Sequence, residues 1–355
     1  MMTEIDNRNY RADLMSGDIV VAHIQSHVVT PVVHELVPLC FRQGGDIVNW
    51  LEHRAIDAHR THSRLLKKVL RLRERDDLST VLHFNAATIT DNFWIRPEGS
   101  CLTWDDVQFR NNDFADLALR GALADLSKEP SRTPELTNTG SFEKCWRREN
   151  DEWWMYKVGN ELELFSELFV YELCQALHFP VAIYQNSGKY IKTKDFTEGV
   201  YNFEPAAYLV GDDEEYVTNY ETFLEFGEQI ADQYVEIVLM DAFCRNADRH
   251  TYNYGLLRER ETGRVISMAP NFDNNIALVS RGIDDSPRKK DLLMRLVSEL
   301  ENQTHAVSHY LRRHPRPVIT PELIAQCCAR TGIAVDVSHV QQLVMMGYSV
   351  MDEIR

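Results

Sequence analysis

The sequence predicts an α+β fold of two lobes behind an N-terminal region. Three observations carry this: 355 residues exceed one ordinary domain, hairpin signals crowd the middle of the chain, and helical periodicity dominates from about Glu221 onward.

Up to residue 133 the chain alternates β-branched runs, Ile19 to Ile24 and Val28 to Val33, with helix-like stretches at Asp46 to His53 and Arg60 to Leu72. The polar segment Ser127 to Pro134 carries two prolines and no large apolar residue, so it reads as a boundary and makes 1–133 an accessory region. A turn at Thr137 to Ser141 leads into a predicted hairpin, Phe142 to Trp146 with Trp153 to Lys157. Leu162, Phe165, Phe169 and Leu173 then lie on one face of a helix predicted over Glu161 to Leu177. Strands are expected at Val181 to Tyr184 and at Lys189 to Lys192, which makes 134–205 a small β-rich lobe.

From Glu221 a buried helical face recurs at Tyr234, Ile237, Val238, Met240, Asp241 and Phe243. Extended runs at Tyr254 to Leu257 and Val265 to Met268 interrupt it. Helices return at Arg288 to Leu300, at Pro321 to Arg330, and after Ser338, where Ser338-x-x-Gln341 has the form of a capping box. The span 206–355 therefore reads as a helical lobe.

Hydrophobic residues at 44% and charged residues at 26% fit a soluble globular protein. A net charge of −16 argues against direct binding to nucleic acid or an anionic membrane, which needs clustered Lys and Arg. The basic stretch His59 to Arg75 reads as the solvated face of a surface helix. Seven cysteines lack any C-x-x-C pair, and neither a signal peptide nor an uninterrupted apolar span is visible. A cytoplasmic protein with reduced thiols is expected.

The chemistry concentrates between Asp248 and Asp273. Asn246-Ala247-Asp248-Arg249-His250-Thr251-Tyr252-Asn253 follows a buried helix, and Ala269-Pro270-Asn271-Phe272-Asp273-Asn274 follows the next hairpin. Phosphoryl transfer needs a carboxylate beside the attacking hydroxyl and oxygen ligands for the Mg2+ that bridges the phosphates. Asp248 suits the base, and Asn253 and Asp273 suit the metal. Each residue also has a structural alternative as a turn or capping side chain. No Walker A loop, G-x-S-x-G or H-E-x-x-H occurs.

Asp-Arg-His-x-x-Asn followed by Ala-Pro-x-x-Asp resembles the catalytic and metal-binding segments of the HipA-like kinases, a bacterial family related to protein kinases. The order differs from the usual His-Arg-Asp, and Asn274 stands where common kinases have the glycine of Asp-Phe-Gly; both departures suit the HipA-like pattern. The resemblance implies a two-lobed protein-kinase-like fold with an N-terminal extension, ATP and Mg2+ as cofactors, and transfer to a Ser or Thr hydroxyl of a protein substrate. It implies Lys157 as the phosphate-contacting lysine and Glu167 as its partner, with Glu163 one turn earlier as a rival. It also places Thr139 to Lys144 as the phosphate-covering loop, with Gly140 in the turn and Ser141 as a site of self-phosphorylation.

His250 is expected to pack behind the loop and bond its backbone, while Arg249 is open between a phosphate and a nearby acid. HipA-like proteins pair with DNA-binding antitoxins, so such a partner is implied, although no segment of this chain resembles one. A lipid or small-molecule kinase on the same scaffold and a non-catalytic nucleotide-binding regulator are the alternatives. The lipid alternative calls for a basic pocket, against which the acidic charge counts.

Overall fold

The computed structural model describes residues 10–56, 60, 62–69, 77–122, 132–140, 142–281 and 292–354. The N-terminal strands are β1 (Arg11–Ser16), β2 (Ile19–Gln25), β3 (Val28–Pro31), β4 (Gly45–Asp46) and β5 (Phe93–Pro97), in the sheet order β4-β3-β2-β1-β5. Next come β6 (Lys144–Glu149), β7 (Glu152–Lys157), β8 (Tyr184–Ser187) and β9 (Tyr190–Lys194), ordered β6-β7-β9-β8. β10 (Tyr201–Pro205), β11 (Gly255–Glu259) and β12 (Val265–Met268) form the third sheet in that order.

By contact the chain falls into two units. One comprises Met1–Val158, Lys192–Glu204 and Leu257–Val265, and the other Gly159–Ile191, Pro205–Leu256 and Ile266–Arg355. The first stretch of that unit therefore continues past the polar segment at 127–134 to the end of the β6–β7 hairpin. Residues 127–131 lie outside those described, whereas Thr133 and Pro134 are buried.

In the first unit, alternation sets the core of the five-stranded sheet. Leu14 of β1 opposes Ala22 of β2 and Ile95 of β5, and all three are buried. Short helices α1 (Ile47–Glu52), α2 (Ser63–Val69), α3 (Asp77–His83), α4 (Trp104–Val107) and α5 (Ala115–Arg120) fill the connections. Asp46 caps α1 by accepting from the Val48 N–H at 2.8 Å.

Three buried arginines stitch the unit together. Arg54 bonds both oxygens of Asp91 at 2.7 and 2.8 Å, Arg60 meets Glu135 at 3.2 Å, and Arg258 pairs with Glu204, which also accepts the Leu39 N–H at 2.6 Å. The expected solvated basic face holds only in part: Arg64 and Lys68 are exposed, but Arg60 and Lys67 are buried. Arg71, Arg73 and Arg75 lie outside the described residues.

The second unit holds α6 (Glu161–Leu177), α7 (Ala207–Val210), α8 (Tyr216–Leu224), α9 (Glu228–Cys244), α10 (Leu292–Thr304), α11 (Ala306–Arg313), α12 (Pro321–Thr331), α13 (Val337–Tyr348) and α14 (Val350–Glu353). Phe165 and Phe169 of α6, Phe223 of α8, and Tyr234 and Phe243 of α9 form its apolar centre. Gly347 lets α13 approach α9 closely, because a Cβ there would strike the Ala242 carbonyl.

Two local expectations fail here. Val181 makes only an isolated parallel bridge to Asn271 and the strand begins at Tyr184, because Pro180 precedes it and the Ala182 N–H is taken by the Asn271 carbonyl. Helix α13 is capped by Asp336, which accepts from the His339 N–H at 3.2 Å, rather than by Ser338. Among the described residues no helix is long and apolar enough to cross a membrane. All seven cysteines are free thiols.

Candidate active site

Helix α9 ends as Arg245 turns left-handed at φ 52° and releases the chain into the loop that begins at Asn246. The loop folds on itself: the Asp248 N–H donates to Asn246 Oδ1 at 3.3 Å, and Asn253 Nδ2 donates to the Asp248 carbonyl at 3.2 Å. That second bond holds the side chain of Asn253 in place while its Oδ1 has no donor among the described residues. The Asp248 carboxylate is half-buried and likewise accepts no hydrogen bond from the described residues. One carboxylate and one amide oxygen are thus open for chemistry on a single short loop.

β12 delivers the second loop, Ala269 to Asn274. Asp273 adopts φ 60°, a left-handed conformation that Asp tolerates better than most residues, and its N–H donates to the Tyr184 hydroxyl at 3.0 Å. Its neighbour Asn274 is buried and donates its N–H to Glu167 Oε2 at 2.9 Å.

Arg249 joins the two loops. From a buried position it donates to Asp241 at 2.8 and 2.9 Å, to Asn271 Oδ1 at 3.0 Å and to Asn274 Oδ1 at 2.7 Å, and to the carbonyls of Asn253 at 3.1 Å and Phe272 at 2.6 Å. Burial by itself would lower the guanidinium pKa, but the Asp241 carboxylate against it raises the value, so the cation persists at any working pH. The open choice for Arg249 is settled in favour of the nearby acid. His250 is exposed rather than packed behind the loop, but its ring makes the expected bond to the loop backbone, accepting the Tyr252 N–H at 3.3 Å; the buried position behind the loop belongs to Arg249.

α6 separates the two rival glutamates. Glu163 closes a capping box, accepting the Asn160 N–H at 2.8 Å, while Asn160 Oδ1 accepts from Leu162 and Glu163 at 2.9 and 3.0 Å. Glu167, one turn on, is buried and accepts the Asn274 N–H of the second loop instead.

In the first unit Lys157 ends β7 and lies opposite Lys144 of β6; both are buried. Gly140 has φ 98°, a conformation that favours glycine, while a Cβ there would meet only the movable end of the Lys144 side chain. Ser141 lies outside the described residues.

Sequence reasoning missed Asp241, Asn271 and Asn274 as the side-chain acceptors that orient Arg249. Asp241 was read only as part of a buried helix face; an acid on such a face is itself the signal, since a buried carboxylate demands a partner.

No protein-family model matches the chain, and no curated protein does. Among solved structures, HipA of the Shewanella oneidensis MR-1 toxin-antitoxin system, solved with HipB and its operator DNA, matches at 12% identity and a TM-score of 0.54, covering 97% of this chain and 99% of that one. The Helicobacter pylori proinflammatory kinase CtkA matches at 19% identity and a TM-score of 0.44, covering 59% of this chain and 90% of that one. The likeness to HipA shows the fold: an α+β, HipA-like kinase fold whose match covers nearly the whole chain, the N-terminal region included.

Proposed function

We propose that this protein is an ATP- and Mg2+-dependent phosphotransferase, a HipA-like kinase acting on a Ser or Thr hydroxyl of a protein. The observation that carries the reading is Arg249: one buried guanidinium binds the backbone behind both Asn253 and Asp273, so the loop bearing Asp248 and the loop bearing Asp273 share a frame. Residues 134–205 and 206–355 would serve as its two lobes.

Asp248 orients the acceptor hydroxyl and takes its proton as the oxygen attacks the γ-phosphorus, whose bond to the β–γ bridging oxygen breaks and releases ADP. Asn253 and Asp273 offer an amide oxygen and a carboxylate, the hard donors that suit Mg2+. Among the described residues no group of three or more His, Cys, Asp or Glu side chains forms a closed metal cage. Two side chains together with substrate phosphates are a usual way to hold Mg2+. When bound, Mg2+ would neutralise charge on the phosphates. Lys157 contacts the phosphates, and Gly140 keeps the covering loop close to them.

An antitoxin-like protein partner and a cytoplasmic site of action accompany this reading, supported by the HipA complex and by the unpaired thiols. The test is transfer from labelled ATP, with Mg2+, into a lysate and into a lipid extract, by wild type and by Asp248→Asn. Wild type should label protein. The variant should lose about 100-fold or more of its rate while still binding ATP. Full transfer by the variant sinks the assignment of Asp248, and labelling confined to lipid replaces the protein acceptor with a lipid one.

A further inference from the structure

Arg60 stands far upstream of every residue assigned above, yet its guanidinium ends at the loop that carries Gly140. Nη1 donates to the Asn138 carbonyl at 3.0 Å, and Nη2 donates to the Lys144 carbonyl. These two carbonyls bracket the turn. The arginine is 2% exposed and its Nη2 also meets Glu135 Oε2 at 3.2 Å.

Glu135 ties the same two ends. Its Oε1 accepts the Trp146 N–H at 2.7 Å and Asn112 Nδ2 at 2.7 Å, while Oε2 accepts Asn138 Nδ2 at 3.3 Å. Each end of the loop is therefore held once by the cation and once by the anion. Burial pushes the Glu135 carboxyl up, opposed by Arg60 and by the Trp146 N–H, so the pair is stable only when complete.

We infer that the Arg60–Glu135 pair is a positioning device for the phosphate-covering loop, through which the accessory region takes part in binding nucleotide. The inference rests on the phosphotransferase reading for what the loop binds, and on geometry alone for what holds it. A turn fixed at both ends has less freedom to lose when a ligand orders it, so affinity is set in part by the clamp. The planar fork matters: it reaches two carbonyls and a carboxylate at once, which an ammonium on a flexible stem cannot reproduce.

Arg60→Lys and Glu135→Gln in the full chain test this, with three readouts: thermal melting, MgATP affinity alongside KM and kcat, and amide exchange between Asn138 and Trp146. In Arg60→Lys the Kd and KM for MgATP should rise about tenfold with kcat within about twofold of wild type. Exchange should quicken between Asn138 and Trp146 while β1, β2 and β5 keep their protection. Glu135→Gln should show the same pattern, and it decides the matter alone if Arg60→Lys fails to fold. Unchanged loop exchange and unchanged affinity in a folded variant overturn the proposal, as does loss of protection spread evenly over the unit with affinity intact. Wild type that binds no MgATP overturns the phosphotransferase reading instead, and the exchange data still decide whether the clamp exists.

Discussion

The buried carboxylate of Glu167 accepts the backbone N–H of Asn274 at 2.9 Å, one residue beyond Asp273. The middle of α6 therefore fixes the backbone of the loop that bears a candidate metal ligand. Glu167→Ala leaves a buried N–H without a partner, an effect of about 1–3 kcal/mol. Glu167→Gln keeps an acceptor at the same reach. Urea unfolding should rank stability as wild type, then Gln, then Ala, and MgATP-dependent transfer should fall in the same order. An Ala variant as stable as Gln would show that this bond is dispensable.

Arg249 makes its bonds from a site where only 9% of the residue is exposed, so removing it strands the Asp241 carboxylate in the interior. Arg249→Met should destabilise by about 3–5 kcal/mol, because an uncompensated buried charge remains. Arg249→Lys should recover little, since one ammonium cannot reach Asp241, Asn271, Asn274 and two carbonyls together. Adding Asp241→Leu to Arg249→Met should restore part of the loss. Equilibrium unfolding of the three variants reads this directly; equal stability of the single and double mutants would mean Asp241 is not the stranded partner.

These two relationships also mark what was legible. The helix Glu161–Leu177 and the strand Val265–Met268 coincide with their periodic patterns, because local spacing alone specifies them. The candidate residues Asp248, Asn253 and Asp273 are picked out in the same way, by short-range order. Their supports were not, because Glu167 reaches a residue 107 positions away and Arg60 reaches residues 75 and 84 positions away. A charge run read by local pattern becomes a solvated face, whereas a long side chain with a distant acid becomes a buried clamp. The capping role of Glu163 was readable, since Asn160-x-x-Glu163 is itself a capping pattern.

Glu236 on α9 supplies a pH dependence. Burial pushes its carboxyl up from 4.5 to about 7, against the Tyr310 hydroxyl that donates to it at 3.0 Å and the nearby His314, with Asp232 adding to the rise. The folded state then holds a proton that the unfolded chain has already released. Its stabilising contribution is complete below the unfolded value and is lost as pH rises toward about 7. Glu236→Gln should flatten the decline in melting temperature between pH 5 and pH 7 and should melt higher than wild type at pH 8. Parallel curves for the two proteins would remove Glu236 as the source.

Asp273 offers a clean separation of charge from backbone. At φ 60° most side chains would strain the chain, but Asn tolerates the left-handed region as well as Asp does, so Asp273→Asn changes the carboxylate and little else. Its N–H bond to the Tyr184 hydroxyl does not depend on that charge. Melting should shift by no more than a change of about 1 kcal/mol would produce. The Mg2+ concentration giving half-maximal transfer should rise about tenfold or more, because a hard dication loses its only anionic protein ligand in the proposed set. Mn2+ should restore part of the activity, since it accepts neutral oxygen donors more readily than Mg2+ releases its waters. A variant that melts as wild type and keeps the wild-type Mg2+ requirement would take Asp273 out of the metal site, leaving its left-handed backbone as a feature of the turn alone.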